Sequence, residues 1–553
     1  MRNIHVIIFL CCFFVSCYDD KGNYDYREIN EVELSLPIYS VRLDKKEEVS
    51  VTLVPEISQT LAENDAQLSF KWEKRNNVIL FEGWEECGDG PTLTLSFSPQ
   101  DQVSVVVRLT VTDHRPDGST WVVETTVVPI KPYNRSWFVL QNDNGKSVLG
   151  VVDGEGTGAV VIPDAYKEDM GKDFPLNGRP KMLKSFFYYG DFLGGFLNPS
   201  KRALMVLTEQ DMGVYEAASF NLIYSMEQLL HWKVVNNQSD YAPGEMWSFS
   251  KLGDLLVNNE KEVFLANADG FSVFYPLEWA QESDKREVHL THAATVENGS
   301  AFFLYDKAEH CFLYCLGEKN TSIIFSNQSF RQYGNESSFA PSKVYKKLNY
   351  VGNNPTKPNV FDPKNIDKDE IILSMDRGCR GTKVFATAYS RKTRKFVVYE
   401  FNGLGITDLS SCICSARYEF ELPGVSYESV RFAMSSYGYE AGILFAASGN
   451  KVYKVELVNS PRVSQIYEHA DGNIRIEKIK FKYGDGEFGT WGDGDNFISE
   501  EFYYQLGVLV NYGNNKGSVV DLKLNRAGEL IRDVEIVEHK GFGEVIDFAF
   551  IAQ

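Results

Sequence analysis

The chain has 553 residues, of which 43% are apolar and 13% aromatic, enough for about two to four domains with large cores, which excludes a disordered chain. Its 56 Lys and Arg stand against 76 Asp and Glu, and the resulting net charge of −20 repels nucleic-acid phosphates and anionic lipid surfaces. No nucleic-acid partner is expected.

The first apolar run, Val6 to Val15, holds ten residues, whereas a helix needs about 20 to cross a bilayer. It follows Arg2 and His5 and ends in small residues before Cys17, the build of a secretory signal peptide. Phe14, Val15, Ser16 and Cys17 resemble a bacterial lipobox, with Phe14 in place of the usual Leu. The resemblance implies cleavage after Ser16, with diacylglycerol on the Cys17 thiol and acylation of the new amino terminus. The alternative is an ordinary, Cys-rich signal peptide. Each buried CH₂ contributes about 0.8 kcal/mol, so several acyl chains make attachment close to permanent. No later stretch reaches 18 uninterrupted apolar residues, and the remainder is expected to be soluble, tethered to lipid and outside the cytoplasm. The division expected is signal peptide 1–16, lipidated tether 17–30, a first domain 31–131 and a second 132–553.

From Glu31 to Val128 the sequence alternates with period two, the mark of half-buried strands. In "LSFKWE" Leu68, Phe70 and Trp72 share one side, and in "VSVVVRLTVTD" the inward set is Val103, Val105, Val107, Leu109 and Val111. About seven such runs with polar turns between them fit an immunoglobulin-type β-sandwich.

Beyond residue 131 a shape recurs: an apolar strand, a tight polar turn and a second strand. Instances start at Trp137, Ala203, Glu262, Ala301, Lys383, Gly442 and Leu506, at intervals of 66, 59, 39, 82, 59 and 64 residues. The uneven middle pair sums to two average repeats, so seven hairpins suggest seven propeller blades. Every hairpin but the first is preceded by a further strand, as in "SVRFAMS" and "IRIEKIKF", and the C-terminal "EVIDFAFIAQ" resembles the strand that the first one lacks. The C-terminal strand is therefore expected to close the ring in blade one, removing open sheet edges. Stacked sandwiches are the alternative. The clearest helical signal, "SMEQLLHW", lies between blades, and the fold class is all-β.

Little in the sequence announces chemistry. There is no HExxH, Walker A or GxSxG pattern, and "GEGTG" at Gly154–Gly158 lacks the strand-to-helix junction that would aim amides at a phosphate. His289 and His292 are three apart, which sends them to opposite faces of a strand. After Cys17 six cysteines remain, too few and scattered for a disulfide scaffold, and the even spacings of Cys311 with Cys315 and Cys412 with Cys414 suit small buried side chains on one strand face. The acidic loop "YGDGEFGTWGDGDNF" invites calcium, but the position of the bidentate Glu is Asn496 or Tyr504, so no cofactor or metal is expected and calcium lacks a motif. Paired carboxylates for glycoside hydrolysis stay open there. In a propeller the links between blades and the turns of the middle hairpins share one mouth of the channel. The longest segments gather there and carry Trp232, Trp279, Tyr333, Tyr345 and Tyr350, aromatics able to stack on sugars or peptide side chains or simply to pack within their loops.

"SCYDDKGNYDY", the sandwich with "KWE" and "VRLTVTD" in its central and penultimate strands, "RSWFVLQNDNGKSVL" and the β repeat together resemble the PKD-like lipoprotein family of Bacteroidota. The sandwich is a divergent PKD-like domain, since Trp72 is followed by "EKRNN" and not by the WDFGDG signature. The resemblance implies surface export through Asp19 and Asp20, an outer-membrane lipid anchor facing the cell exterior, and an accessory, non-enzymatic role beside a SusC/SusD-type nutrient transporter. The propeller would then bind a glycan, peptide or partner protein. A glycoside hydrolase or lyase at the channel mouth, or a structural adhesin, are the alternatives.

Overall fold

The computed structural model describes residues 30–552 except 46, 62–66, 77–82, 100, 102, 117, 189–200, 231–242, 250–252, 259–261, 267–274, 280, 296–300, 317–346, 352–358, 403–412 and 483–499. The chain divides into two compact units, Met1–Lys131 and Pro132–Gln553.

In the first unit a five-stranded sheet runs in the spatial order 39–42, 120–130, 105–113, 68–76 and 85–88, accompanied by two two-stranded sheets. The two runs singled out by their alternation pair antiparallel, Phe70 opposite Val111 and Trp72 opposite Leu109. Val107, Leu109 and Val111 are fully buried with Trp72, whose indole donates to the Gly90 carbonyl at 2.8 Å. Val51, Leu95 and Phe97 of the other sheet complete this core, giving the expected sandwich with nine strands where about seven were anticipated.

The second unit consists of seven sheets. From its innermost strand outwards, blade two is Pro180–Tyr188, Lys201–Thr208, Met212–Glu216 and Leu222–Ser225. Blade three is Pro243–Phe249, Gly253–Asn258, Glu262–Ala266 and Tyr275–Pro276. Blade four is Leu290–Thr295, Ala301–Asp306, Cys311–Leu316 and Lys347–Tyr350, with Glu278–Trp279 added in parallel outside. Blades five, six and seven begin at Glu370–Gly378, Arg431–Ala433 and Arg475–Phe481, each continuing through three more strands. Blade one takes Ser136–Asp143, Lys146–Asp153 and Val160–Ile162 from its N-terminal side, and its innermost strand is Glu544–Ile551.

The seven innermost strands contact one another in a closed circle, with Glu544–Ile551 between Arg475–Phe481 and Pro180–Tyr188. Thus the C-terminal strand completes blade one, pairing antiparallel with Ser136–Asp143, and the unit is a seven-bladed β-propeller. One expectation needs correction. The hairpin starting at Glu262 is the outer pair of blade three, whereas the middle hairpin is Gly253–Asn258 with Glu262–Ala266. The sequence places the hairpin one strand late there because "EVFLANADGFSVFY" shows the same apolar, polar-turn, apolar shape as the true middle hairpins.

Each of the seven seams between blades holds its own apolar cluster. This explains why middle strands such as "WFVLQ" read as unbroken apolar runs: both faces of the sheet are covered by neighbouring blades. Phe385, for example, is wholly buried in the seam of blades five and six, a burial that contributes roughly 1.5–3 kcal/mol. The closing seam, between blades seven and one, also has a polar fastening. Trp137 Nε1 donates to Asp521 at 2.8 Å, and Lys482 reaches Asp521 at 3.3 Å and Glu155 at 2.7 Å. Although burial acts to raise the Asp521 pKa, Lys482 and the bonds from His539 and Trp137 hold it below the usual carboxylate range. The Trp137 ring stacks on Phe548 at 4.6 Å and lies so close to Gly507 that a Cβ there would come within 2.5 Å of it.

Among the described residues two short α-helices interrupt the β pattern. Met226–Leu229 follows blade two and starts at a capping box built by Ser225 and Gln228, as "SMEQLL" suggested. Ala165–Met170, between blades one and two, was not foreseen; its signal is the Asp164 cap, which accepts from the Lys167 amide.

Candidate functional site

Both faces of an innermost strand meet neighbouring blades, as in Glu544–Ile551, where Ala549 and Ile551 enter the seam with blade two and Val545, Phe548 and Phe550 the seam with blade seven, and residues of both faces border the central cavity. In "KIKFK", Ile479 and Phe481 enter the cluster between blades six and seven, while Lys478, Lys480 and Lys482 line the channel cavity. That cavity, of about 460 Å³, is walled by the innermost strands of blades one, two, five, six and seven among the described residues. It extends from Tyr427 and Glu428, ahead of the inner strand of blade six, to Ser436 beyond it. Among the described residues six basic side chains line it against three carboxylates, so the lining of this cavity is mainly basic in a chain of net charge −20.

Asp547 joins three blades. Its side chain is fully buried; Oδ1 accepts from Lys480 at 2.6 Å and the Phe548 amide at 2.9 Å, while Oδ2 accepts from the Leu183 amide at 3.0 Å and faces Lys478 at 3.1 Å. Burial opposes ionisation, but Lys478 and Lys480 prevail and hold this carboxyl well below the usual range. Lys480 also donates to the carbonyls of Phe548 at 2.8 Å and Leu183 at 3.4 Å. Burial pushes its pKa down to about 7, against the pull of Asp547 and with help from the positive charges of Lys478 and Lys184. Arg431 of blade six is held by Glu477, its Nε donating to that carbonyl at 2.9 Å.

Two lining cations are differently placed. Lys184 of blade two has no carboxylate within ion-pair distance among the described residues. Arg377 of blade five is 4% exposed, lies over the Tyr437 ring at 5.1 Å, and has Nε and Nη2 buried with no hydrogen-bond acceptor among the described residues.

Of the residues picked from sequence, Cys17, Trp232, Tyr333 and Tyr345 lie outside the described residues, as does the acidic Trp491 loop. Trp279 and Tyr350 are brought together at the outer edge of blade four, their rings 5.6 Å apart. The Trp279 indole donates to the Arg286 carbonyl at 3.0 Å and the Arg286 guanidinium lies over its ring, so this half-buried pair packs against its own blade. His292 bonds Thr291 and is pushed down to about 4 by burial, whereas His289 faces Glu287 at 3.4 Å, so the two do not converge. Cys311 and Cys315 are buried on one strand, and burial pushes the Cys311 thiol up to about 12. Among the described residues no three His, Cys, Asp or Glu are arranged to hold a metal, and no helix is long and apolar enough to cross a membrane. The residues that sequence reasoning missed are the channel cations; their signal was the alternation of Lys with apolar residues on a strand already recognised.

Fold and channel together define a two-part all-β protein, a PKD-like sandwich followed by a seven-bladed propeller. Residues 17–180 match the PKD-like family, a span that includes the sandwich and the first hairpin of the propeller. No curated protein matches the chain. Among solved structures it is similar to a quinonprotein alcohol dehydrogenase-like protein from Bacteroides thetaiotaomicron, at 11% identity and a TM-score of 0.39 over 93% of this chain and 94% of that one. The dihydro-heme d1 dehydrogenase NirN is similar at 11% identity and a TM-score of 0.36 over 75% and 74%. U3-55K is similar at 6% identity and 0.34 over 62% and 80%.

Proposed function

We propose that the chain is a binding protein of the outer-membrane surface, anchored through lipid on Cys17, whose propeller takes a glycan or peptide fragment in its channel. It works as an accessory to a SusC/SusD-type nutrient transporter. The observation that carries the binding role is the channel cavity of about 460 Å³, within the range of small-ligand sites. Its charged groups mostly hold each other and the backbones of three blades, an arrangement that supplies a stiff wall more readily than a proton shuttle. The anchor rests on Phe14–Cys17, and the transporter on the resemblance in sequence to the PKD-like lipoproteins of Bacteroidota, beside a match of residues 17–180 to the PKD-like family. The test is affinity purification of the full chain from detergent-solubilised outer membrane, wild type beside Cys17→Ala. Recovery of a SusC/SusD-type transporter with wild type alone supports the reading. A wild-type chain found in the soluble fraction, or recovered without a transporter, contradicts it.

A further inference from the structure

A buried guanidinium with unfilled donors is costly, and native proteins keep such groups where something accepts their hydrogen bonds. In Arg377 the unfilled pair is Nε and Nη2, the edge that presents two parallel N–H groups. That fork matches two oxygens of a carboxylate, sulfate or phosphate, and stacking on Tyr437 fixes its plane. Arg377 lines the channel cavity, and among the described residues no carboxylate takes the fork. The cavity wall carries more cations than carboxylates although the neighbouring Asp376 also lines it: Lys184 has no ion-pair partner among the described residues, and Lys478 is partly open to the channel.

We propose that the channel binds the oxyanion group of a small ligand, a carboxylate, sulfate or phosphate, received by the Arg377 fork, with Lys184 as a second cation. This rests on the channel being the binding site. Because Nε and Nη2 are buried, receiving the ligand requires the guanidinium to turn its fork towards the cavity. A positive wall in a strongly negative molecule also favours such a ligand over the neutral sugars and cationic peptides that the overall charge would otherwise attract or tolerate.

Calorimetric titration of the full chain at low ionic strength tests this, with sodium sulfate, sodium phosphate and sodium glucuronate as probes, sodium chloride as control and glucose as the neutral comparison. Saturable binding of at least one oxyanion, weakened about tenfold or more by Arg377→Gln and about threefold by Lys184→Met, is expected. Sulfate and phosphate binding more tightly than glucuronate would assign the group to an ester or inorganic anion, and the reverse to an organic acid. If Arg377→Gln does not fold, Arg377→Lys keeps the charge without the fork, and unchanged affinity in that variant overturns the proposal. Three oxyanions that bind no better than chloride overturn it as well. Should glucose alone then bind, the channel survives as the binding site and only its anion preference falls.

Discussion

Replacing Asp547 by Asn probes the node on which blades one, two and seven meet. The carboxylate is fully buried and its oxygens face two ammonium groups, at 2.6 and 3.1 Å, and two backbone amides, at 2.9 and 3.0 Å. An Asn keeps the size but turns donor hydrogens towards donors and leaves Lys478 and Lys480 without a counter-charge. Removing one partner of a buried pair costs about 3–5 kcal/mol, and that loss is expected in the denaturant-unfolding free energy of the propeller at pH 7. Because the Asp547 pKa is lowered on folding, its stabilisation is complete above the ordinary carboxylate pKa of 3.8 and fades as pH falls below it. Between pH 4 and pH 3, where the unfolded carboxyl is on average about two-thirds protonated, the gap between wild type and variant should therefore narrow by about 0.9 kcal/mol. The variant Asp547→Asn/Lys480→Met should recover part of the loss, since the stranded ammonium is gone. An Asp547→Asn protein within about 1 kcal/mol of wild type would refute the reasoning and mean that channel water, not this carboxylate, solvates the lysines.

Lys480 has the opposite charge but the same sign of pH dependence. With its pKa lowered to about 7, the group is neutral in both states above the ordinary lysine range and costs folding increasingly as pH falls from there to 7; Lys480→Met should flatten the stability profile between these limits. Gly507→Ala would drive a methyl to 2.5 Å from the Trp137 ring and should lower stability by about 1–3 kcal/mol in the same unfolding assay. Trp137→Phe keeps the stack on Phe548 but leaves Asp521 without its indole donor, for a loss of about 1–3 kcal/mol. Phe385→Ala, in the seam of blades five and six, should cost about 3–5 kcal/mol.

The fold was legible where a local period coincided with a burial pattern. Trp72, Leu109 and Val111 alternate because one sheet face is dry, and "WFVLQ" is continuous because both are. Even the closure was readable, since a hairpin without a preceding strand and a strand without a hairpin stood at opposite ends of one repeat series. Register failed at Glu262, where the outer strand pair mimics the shape of a middle hairpin. The site was harder. Period two says that Lys478, Lys480 and Lys482 share a side, but not that this side faces a channel, for which the ring must first be built. Asp521 is 384 residues from Trp137 and Asp547 is 364 from Leu183, so neither partnership leaves a local trace. The unfilled edge of Arg377 is a property of what surrounds it in space. The aromatic residues drew notice as stacking platforms, yet Trp279 and Tyr350 spend their faces on each other and on Arg286.

The channel exists because Glu544–Ile551 is the innermost strand of blade one, and amide hydrogen exchange on the full chain measures this directly. The account predicts that the amides of Val545–Phe550 exchange as slowly as those of their partners Trp137–Gln141, in one cooperative unit. Exchange of this strand within seconds, with Trp137–Gln141 still protected, would show a loose C-terminal tail and contradict the closed ring.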